Sequence, residues 1–86
     1  MKATVSEVKS LVEDLFLRPG QKSAIRPDAD LLATGICDSM GLVNLAQALE
    51  QRFGIAVKDS EVTRAHLGSI HRVTRFLSKK GVQVDE

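Results

Sequence analysis

Tryptophan and tyrosine are absent, and three phenylalanines are the only aromatic residues among 86. Proteins that hold single-stranded nucleic acid stack its bases on exposed rings, and this chain has too few to build such a platform. An excess of either charge is also missing: 12 Lys and Arg stand against 11 Asp and Glu, a formal net charge of +1. No strong field draws the protein onto nucleic acid or an anionic membrane. The single cysteine, Cys37, cannot close an internal disulfide, so the fold must hold without covalent staples, as suits a reducing cytosol. No apolar run approaches the ~20 residues that span a bilayer, and none follows a basic start as in a signal peptide. The expectation is a soluble, cytoplasmic protein. A chain of this length buries roughly 60–65% of its unfolded surface in one core. A large enzyme with separate cofactor and substrate domains does not fit.

What is present is a helical period. The composition, 43% hydrophobic and 27% charged, is that of a globular domain. Val5, Val8, Val12, Leu15 and Phe16 recur at three- and four-residue steps and mark one apolar face. Thr4 with Glu7 reads as a capping box, and Pro19-Gly20 as a stop, which predicts a first helix over residues 4–17. Residues 18–38 are rich in turn formers, with Ile25, Leu31, Leu32 and Ile36 scattered among them. A loop this long is uncommon in a compact domain; its apolar residues predict that it is pinned to the core, and its length leans toward functional use.

The clearest helix starts after Asp38, a good N-cap. Leu42, Leu45, Ala46, Leu49 and Phe53 form its stripe, Val43 flanks it, and Gly54 sits where a left-handed cap belongs. Ile55 and Val57 follow in a short extended link. Asp59 or Ser60 can cap a short helix over residues 61–65. Ser69 then caps a last helix carrying Ile70, Val73, Phe76 and Leu77, which ends at Gly81 with Lys79 and Lys80 at its negative pole. The tail beyond Gly81 shows no core pattern and is expected to be mobile. The sum is all-α: a small four-helix bundle, three main helices plus one short one, with a long first loop. One domain over residues 1–86 is expected, its core at about 4–80.

The segment Gly35-Ile36-Cys37-Asp38-Ser39-Met40 is the most informative. A serine in the first turn of a helix is often only a capping hydroxyl. It is also well placed to carry a phosphate ester, because a helix N-terminus offers free N–H groups and a positive dipole end. Asp38 would repel a phosphate unless a cation or a partner lies between them, a tension that favours delivery by a metal-dependent enzyme.

At these residues the chain resembles the acyl carrier and peptidyl carrier protein family, over about residues 5–77. Leu31-Leu32 followed by Gly35 and Asp38-Ser39-Met40 looks like the family's leucine, glycine, Asp-Ser-Leu/Met pattern. Leu45, Leu49, Glu50, Phe53, Gly54 and Ile55 look like its ALEExFGI stretch. Val57, Glu61, Val62 and Thr63 resemble the link and third helix, and Leu67, Ser69, Ile70 and Val73 the start of the fourth. The resemblance implies that Ser39 carries 4′-phosphopantetheine, added from coenzyme A by a magnesium-dependent phosphopantetheinyl transferase, with Asp38 helping to hold the magnesium. Cargo would ride on the arm's thiol as a thioester, loaded by an aminoacyl or acyl ligase and passed to a downstream transferase or synthetase. No catalytic residue is required.

Between Ser39 and Gly54 only Glu50 and Arg52 are charged, unlike the strongly acidic second helix of many fatty-acid carriers. That looks more like carriers of amino acids or specialised acyl groups; a carrier of fatty acid or polyketide synthesis is the alternative. Cys37 stands where peptidyl carriers usually show glycine, and with no paired base or resolving cysteine it reads as structural. Met40, Val43 and Ala56 are candidates for the partner-facing surface, against simple packing. An enzyme reading fails because Cys37 replaces the first glycine of a G-x-S-x-G elbow. The two histidines, His66 and His71, are five apart and do not share a helical face as a metal pair requires; both are expected exposed or lightly packed. Together with Arg64, Arg72 and Arg75 they form a mildly basic stretch, most simply a solvated face, though such stretches also dock acidic partner surfaces. A small DNA-binding module is the remote alternative, opposed by the neutral charge and the apolar stripe of the last helix. A bundle this small is expected to act as a monomer.

Overall fold

The computed structural model of the protein describes residues 2–17 and 25–85. Its elements run β1 (Lys2–Thr4), α1 (Val5–Phe16), α2 (Ser39–Phe53), a single 3₁₀ turn (Asp59–Glu61), α3 (Arg64–Leu67), α4 (Ile70–Lys79) and β2 (Gln83–Asp85). The four-helix bundle is the one anticipated, with a small parallel ribbon added.

Local chemistry sets the helix ends. Thr4 is extended and its Oγ1 accepts the Glu7 N–H at 3.0 Å, starting α1. Ser69 does the same for α4, accepting from the Arg72 N–H at 3.1 Å. Gly54 closes α2 at φ 67°, a left-handed conformation that costs a residue with a Cβ about 1–2 kcal/mol. Pro19 and Gly20, expected to stop α1, lie outside the described residues; α1 ends at Phe16 with Leu17 as its cap.

The stripes meet in one core. Val8 and Val12 of α1, Leu45 and Leu49 of α2, Leu67, and Ile70, Val73 and Leu77 of α4 are fully buried. Each contributes roughly 1.5–3 kcal/mol of apolar burial. Leu15 departs from the expected α1 face: it sits in the last turn, 39% exposed, and borders an open groove. The described part of the long loop is pinned down as expected. Ile25 and Leu31 are buried, the Leu31 N–H donates to the Gly68 carbonyl at 2.7 Å, and Pro27 accepts from the His71 N–H at 2.9 Å.

Two expectations are overturned. The short helix expected over 61–65 is split. Glu61 accepts the Lys58 N–H on its side chain at 2.9 Å and draws 58–61 into the 3₁₀ turn. Val62 then breaks the helical path, and α3 restarts after an extended Thr63. The chain beyond Gly81 is not a free tail. Val82 is 4% exposed in the core, and Gln83–Asp85 pairs in parallel with Lys2–Thr4, aligning Ala3 with Val84. A lone valine after a glycine has no period to announce it, and its partner strand lies at the other end of the sequence.

Candidate functional site

The chain reaches α2 through a tightly folded approach. Asp30 Oδ1 accepts the N–H groups of Leu32 at 3.0 Å and Ala33 at 3.1 Å. The Cys37 N–H then donates to the Leu31 carbonyl at 3.1 Å, closing the segment on itself. Arg64 Nε approaches Asp30 Oδ2 at 3.4 Å. The Ala33 N–H, then the Leu32 N–H and the charges of Arg64 and Arg72, outweigh desolvation and hold the Asp30 carboxyl below its ordinary pKa. Cys37 is buried at 8% exposure; burial first, then the negative charges of Asp38 and Asp30, push its thiol pKa up. A protonated, enclosed thiol is the structural cysteine anticipated.

Asp38 is the N-cap of α2, extended, with Oδ1 accepting the Gly41 N–H at 2.8 Å. Ser39 follows as the first helical residue, exposed, and its Oγ has no hydrogen-bond partner among the described residues. The spot is held in place by Gly41, whose role the sequence pattern did not disclose. A Cβ there would lie 2.8 Å from Cys37 Cβ and 3.0 Å from Phe16 Cε1. Glycine lets the end of α1 press against the start of α2, directly behind Ser39.

Ser39 stands on a ridge between two grooves. One, about 670 Å³, runs toward Leu15, Phe16, Ile36 and Met40. The other, about 510 Å³, runs toward Val43, Asp59, Val62, Thr63 and Arg64. Met40 is 66% exposed and Val43 37%; with Leu15 they are the exposed large hydrophobics among the described residues. The structure thus gathers Asp38, Ser39, Met40 and Val43 at one end of α2. Ala56 is exposed in the link that turns back at Gly54, where the next N–H, that of Val57, reaches Glu50, and it borders neither groove.

Neither histidine lines these grooves. His66 Nδ1 is 2.9 Å from Thr63 Oγ1 and its ring meets Phe76 edge-on at 5.4 Å, while His71 is exposed on α4. No group of His, Cys, Asp or Glu suited to a metal ion occurs among the described residues. The arrangement is therefore an accessible hydroxyl at the positive end of a helix, beside the Asp38 carboxylate and, among the described residues, with no histidine in either groove. It suits a position that receives a group and displays it.

Three comparisons bear on this site. Residues 6–77 match the family described as "Phosphopantetheine attachment site". The chain is 32% identical over 75 residues to the D-alanyl carrier protein of Bacillus velezensis, spanning 85% of this chain and 96% of that protein. It is 35% identical over 74 residues to the D-alanyl carrier protein of Streptococcus sanguinis, spanning 86% and 90%. Its fold is similar to a chain in the crystal structure of Bradyrhizobium japonicum glycine:[carrier protein] ligase complexed with glycylated carrier protein. That likeness has a TM-score of 0.68 and 25% identity, over 84% of this chain and 95% of that one.

Proposed function

Because this chain belongs to the phosphopantetheine attachment family of carrier proteins, we propose that Ser39 bears its 4′-phosphopantetheine and that the cargo is an aminoacyl group. The arm supplies a terminal thiol on which cargo is held as a thioester. The observation that carries the assignment is the exposed, unpartnered Ser39 hydroxyl in the first turn of α2. A phosphodiester there faces the unpaired N–H groups of the first turn and the positive end of the helix dipole. Asp38 fits the transfer step. One carboxylate oxygen caps Gly41, and the other, with no partner among the described residues, is free to meet magnesium brought with coenzyme A.

The protein carries a group and does not catalyse. Its proposed partners are a phosphopantetheinyl transferase, an aminoacyl ligase and a downstream transferase or synthetase. Met40 and Val43 form the contact patch around Ser39, with Ala56 extending it along α2. Aminoacyl cargo is supported by the named relatives, which are D-alanyl carriers, and by the glycylated carrier in the similar structure. It is supported also by α2, which has no charge from Ser39 to Leu49 and turns Glu50 back to accept the Val57 N–H at 3.0 Å. An enzyme that reads an acidic second helix finds none here. We place the protein in the cytoplasm as a free-standing monomeric carrier with one domain over residues 1–86. No helix among the described residues is long and apolar enough to cross a membrane.

The test is intact mass after incubation with coenzyme A and a broad-specificity phosphopantetheinyl transferase. The wild type gains one phosphopantetheinyl group and Ser39→Ala gains none. An unmodified wild type beside a modified control carrier overturns the assignment. The holo form is then offered to aminoacyl and fatty-acyl ligases; loading only with a fatty or malonyl group overturns the aminoacyl cargo.

A further inference from the structure

Between residues 64 and 80 the chain has five Arg and Lys, two His and no acidic residue. The structure divides these cations into two sets. Lys80 Nζ is 2.8 Å from Glu61 Oε1 and 5.4 Å from the centre of the Phe76 ring, and Arg64 is paired with Asp30. Arg72, Arg75 and Lys79 are exposed and have no ion pair among the described residues. With His71 and Ser78 they occupy one face of α4, and Val73, Phe76 and Leu77 on its other side are buried.

This cationic stripe begins at the proposed attachment site. Arg64 lines the groove that also contains Ser39 and Val43. Arg72 Nη1 donates to the Arg64 carbonyl at 3.1 Å, which seats the first free guanidinium of α4 beside the end of that groove. Two of the acids near the start of the stripe are engaged with arginines, and a third borders the groove. Asp30 faces Arg64, Asp28 lies 3.7 Å from Arg26, and Asp59, at the 3₁₀ turn, lines the same groove as Arg64. The groove beside Ser39 thus runs from uncharged, partly apolar α2 to Arg64, and from there Arg72, Arg75 and Lys79 continue along α4.

We infer that the ligase that loads the arm docks an acidic surface against Arg72, Arg75 and Lys79, with Arg64 at its edge. The inference rests on the carrier reading above and names how that partner is recognised. Charge complementarity selects the occupant. A lipid surface is the poorer fit, because the apolar side of α4 is spent in the core and offers no wedge for a bilayer. A nucleic acid is the poorer fit because the whole chain carries only +1. Such a stripe steers encounter and sets orientation, so its loss acts on KM more than on kcat.

The full chain is first converted to the holo form and its mass checked, so that a failure at Ser39 is seen before any loading is measured. Loading kinetics by the aminoacyl ligase that accepts the wild type are then compared at low and high salt. The combined variant Arg72→Glu/Arg75→Glu/Lys79→Glu is expected to raise KM for the carrier about tenfold or more at low salt, with kcat little changed. High salt narrows the gap, and Arg75→Lys keeps the wild-type KM. Far-UV circular dichroism checks the fold; if the triple variant unfolds, Arg75→Gln and Lys79→Gln replace it, with the same direction expected. A KM indifferent to both salt and charge reversal overturns the inference and leaves Ser39 untouched. So does an indifferent KM accompanied by binding of the wild type to phosphatidylserine vesicles, which assigns the stripe to a membrane. A holo protein that no aminoacyl ligase loads removes the cargo reading and the inference with it.

Discussion

The two ends of α1 show opposite uses of apolar surface. At its start, Ala3 and Val82 are enclosed and the terminal strands pair over them, so a short ribbon seals that end of the core. At its finish, about 18 Å away along 12 residues, Leu15, Met40 and Val43 stand exposed around an unpartnered serine. A sequence under pressure for stability alone would cover both ends. Among the described residues that end is left uncovered, as the contact patch proposed around Ser39 requires.

One substitution placed at each end gives the sharpest contrast. Val82→Asp puts an unpaired carboxylate where a buried methyl pair was, and is expected to cost about 3 kcal/mol or more. Met40→Asp puts the same group in solvent and is expected to change stability by less than about 0.5 kcal/mol. Urea unfolding of the two variants measures both. If Met40→Asp destabilises as much as Val82→Asp, the Ser39 end is core and the contrast is wrong. Loading of the holo Met40→Asp variant is expected to weaken instead, which separates contact from packing.

The junction between the two ends is tested by Gly41→Ala. The added methyl collides with Cys37 Cβ and the Phe16 ring, and overpacking of this kind costs about 1–3 kcal/mol. Alanine returns up to ~1 kcal/mol of helix propensity. A net loss of about 1–2 kcal/mol is expected, together with slower modification of Ser39 as the start of α2 is pushed from α1. A stabilised variant with unchanged modification would show that the close approach of α1 is not what positions the serine.

How much of this was readable beforehand follows from which forces are local. Caps and periods act within four residues, so Thr4, Asp38, Gly54 and Ser69 bound their helices where the pattern placed them. Ser39 and Asp38 were legible for the same reason, as a cap and a hydroxyl in sequence with a glycine-bearing approach. Val82 was not, because its burial depends on a strand from the far end of the chain. Leu15 was misplaced because periodicity reports which side of a helix is apolar, not whether a neighbour reaches its last turn. The joining of Arg64 to the Ser39 groove is tertiary in the same sense: Asp30, Arg64 and Arg72 become neighbours only when the loop lies against α3 and α4.

The smallest expected effect concerns Lys80, which the sequence assigned to the helix dipole and the structure gives to Glu61. A hydrogen bond from the Lys80 ammonium, then the Lys58 N–H, holds the Glu61 carboxyl below its ordinary pKa despite some desolvation. A carboxylate whose pKa is lower in the folded state binds fewer protons there than in the unfolded chain. Its contribution to stability is then fully present above the ordinary glutamate pKa. It is lost as pH falls from that value through the lowered one. Glu61→Gln and Lys80→Met should each flatten this part of the acid limb in urea unfolding curves while leaving the neutral plateau nearly level. Glu61 ties the 3₁₀ turn to the end of α4, and neither it nor Lys80 lines a groove beside Ser39, so modification of the serine by the transferase should keep its rate in both variants. A loss of that rate would mean that the groove wall formed by Asp59 and Val62 depends on this pair, and that the two ends of the molecule are less independent than their packing implies.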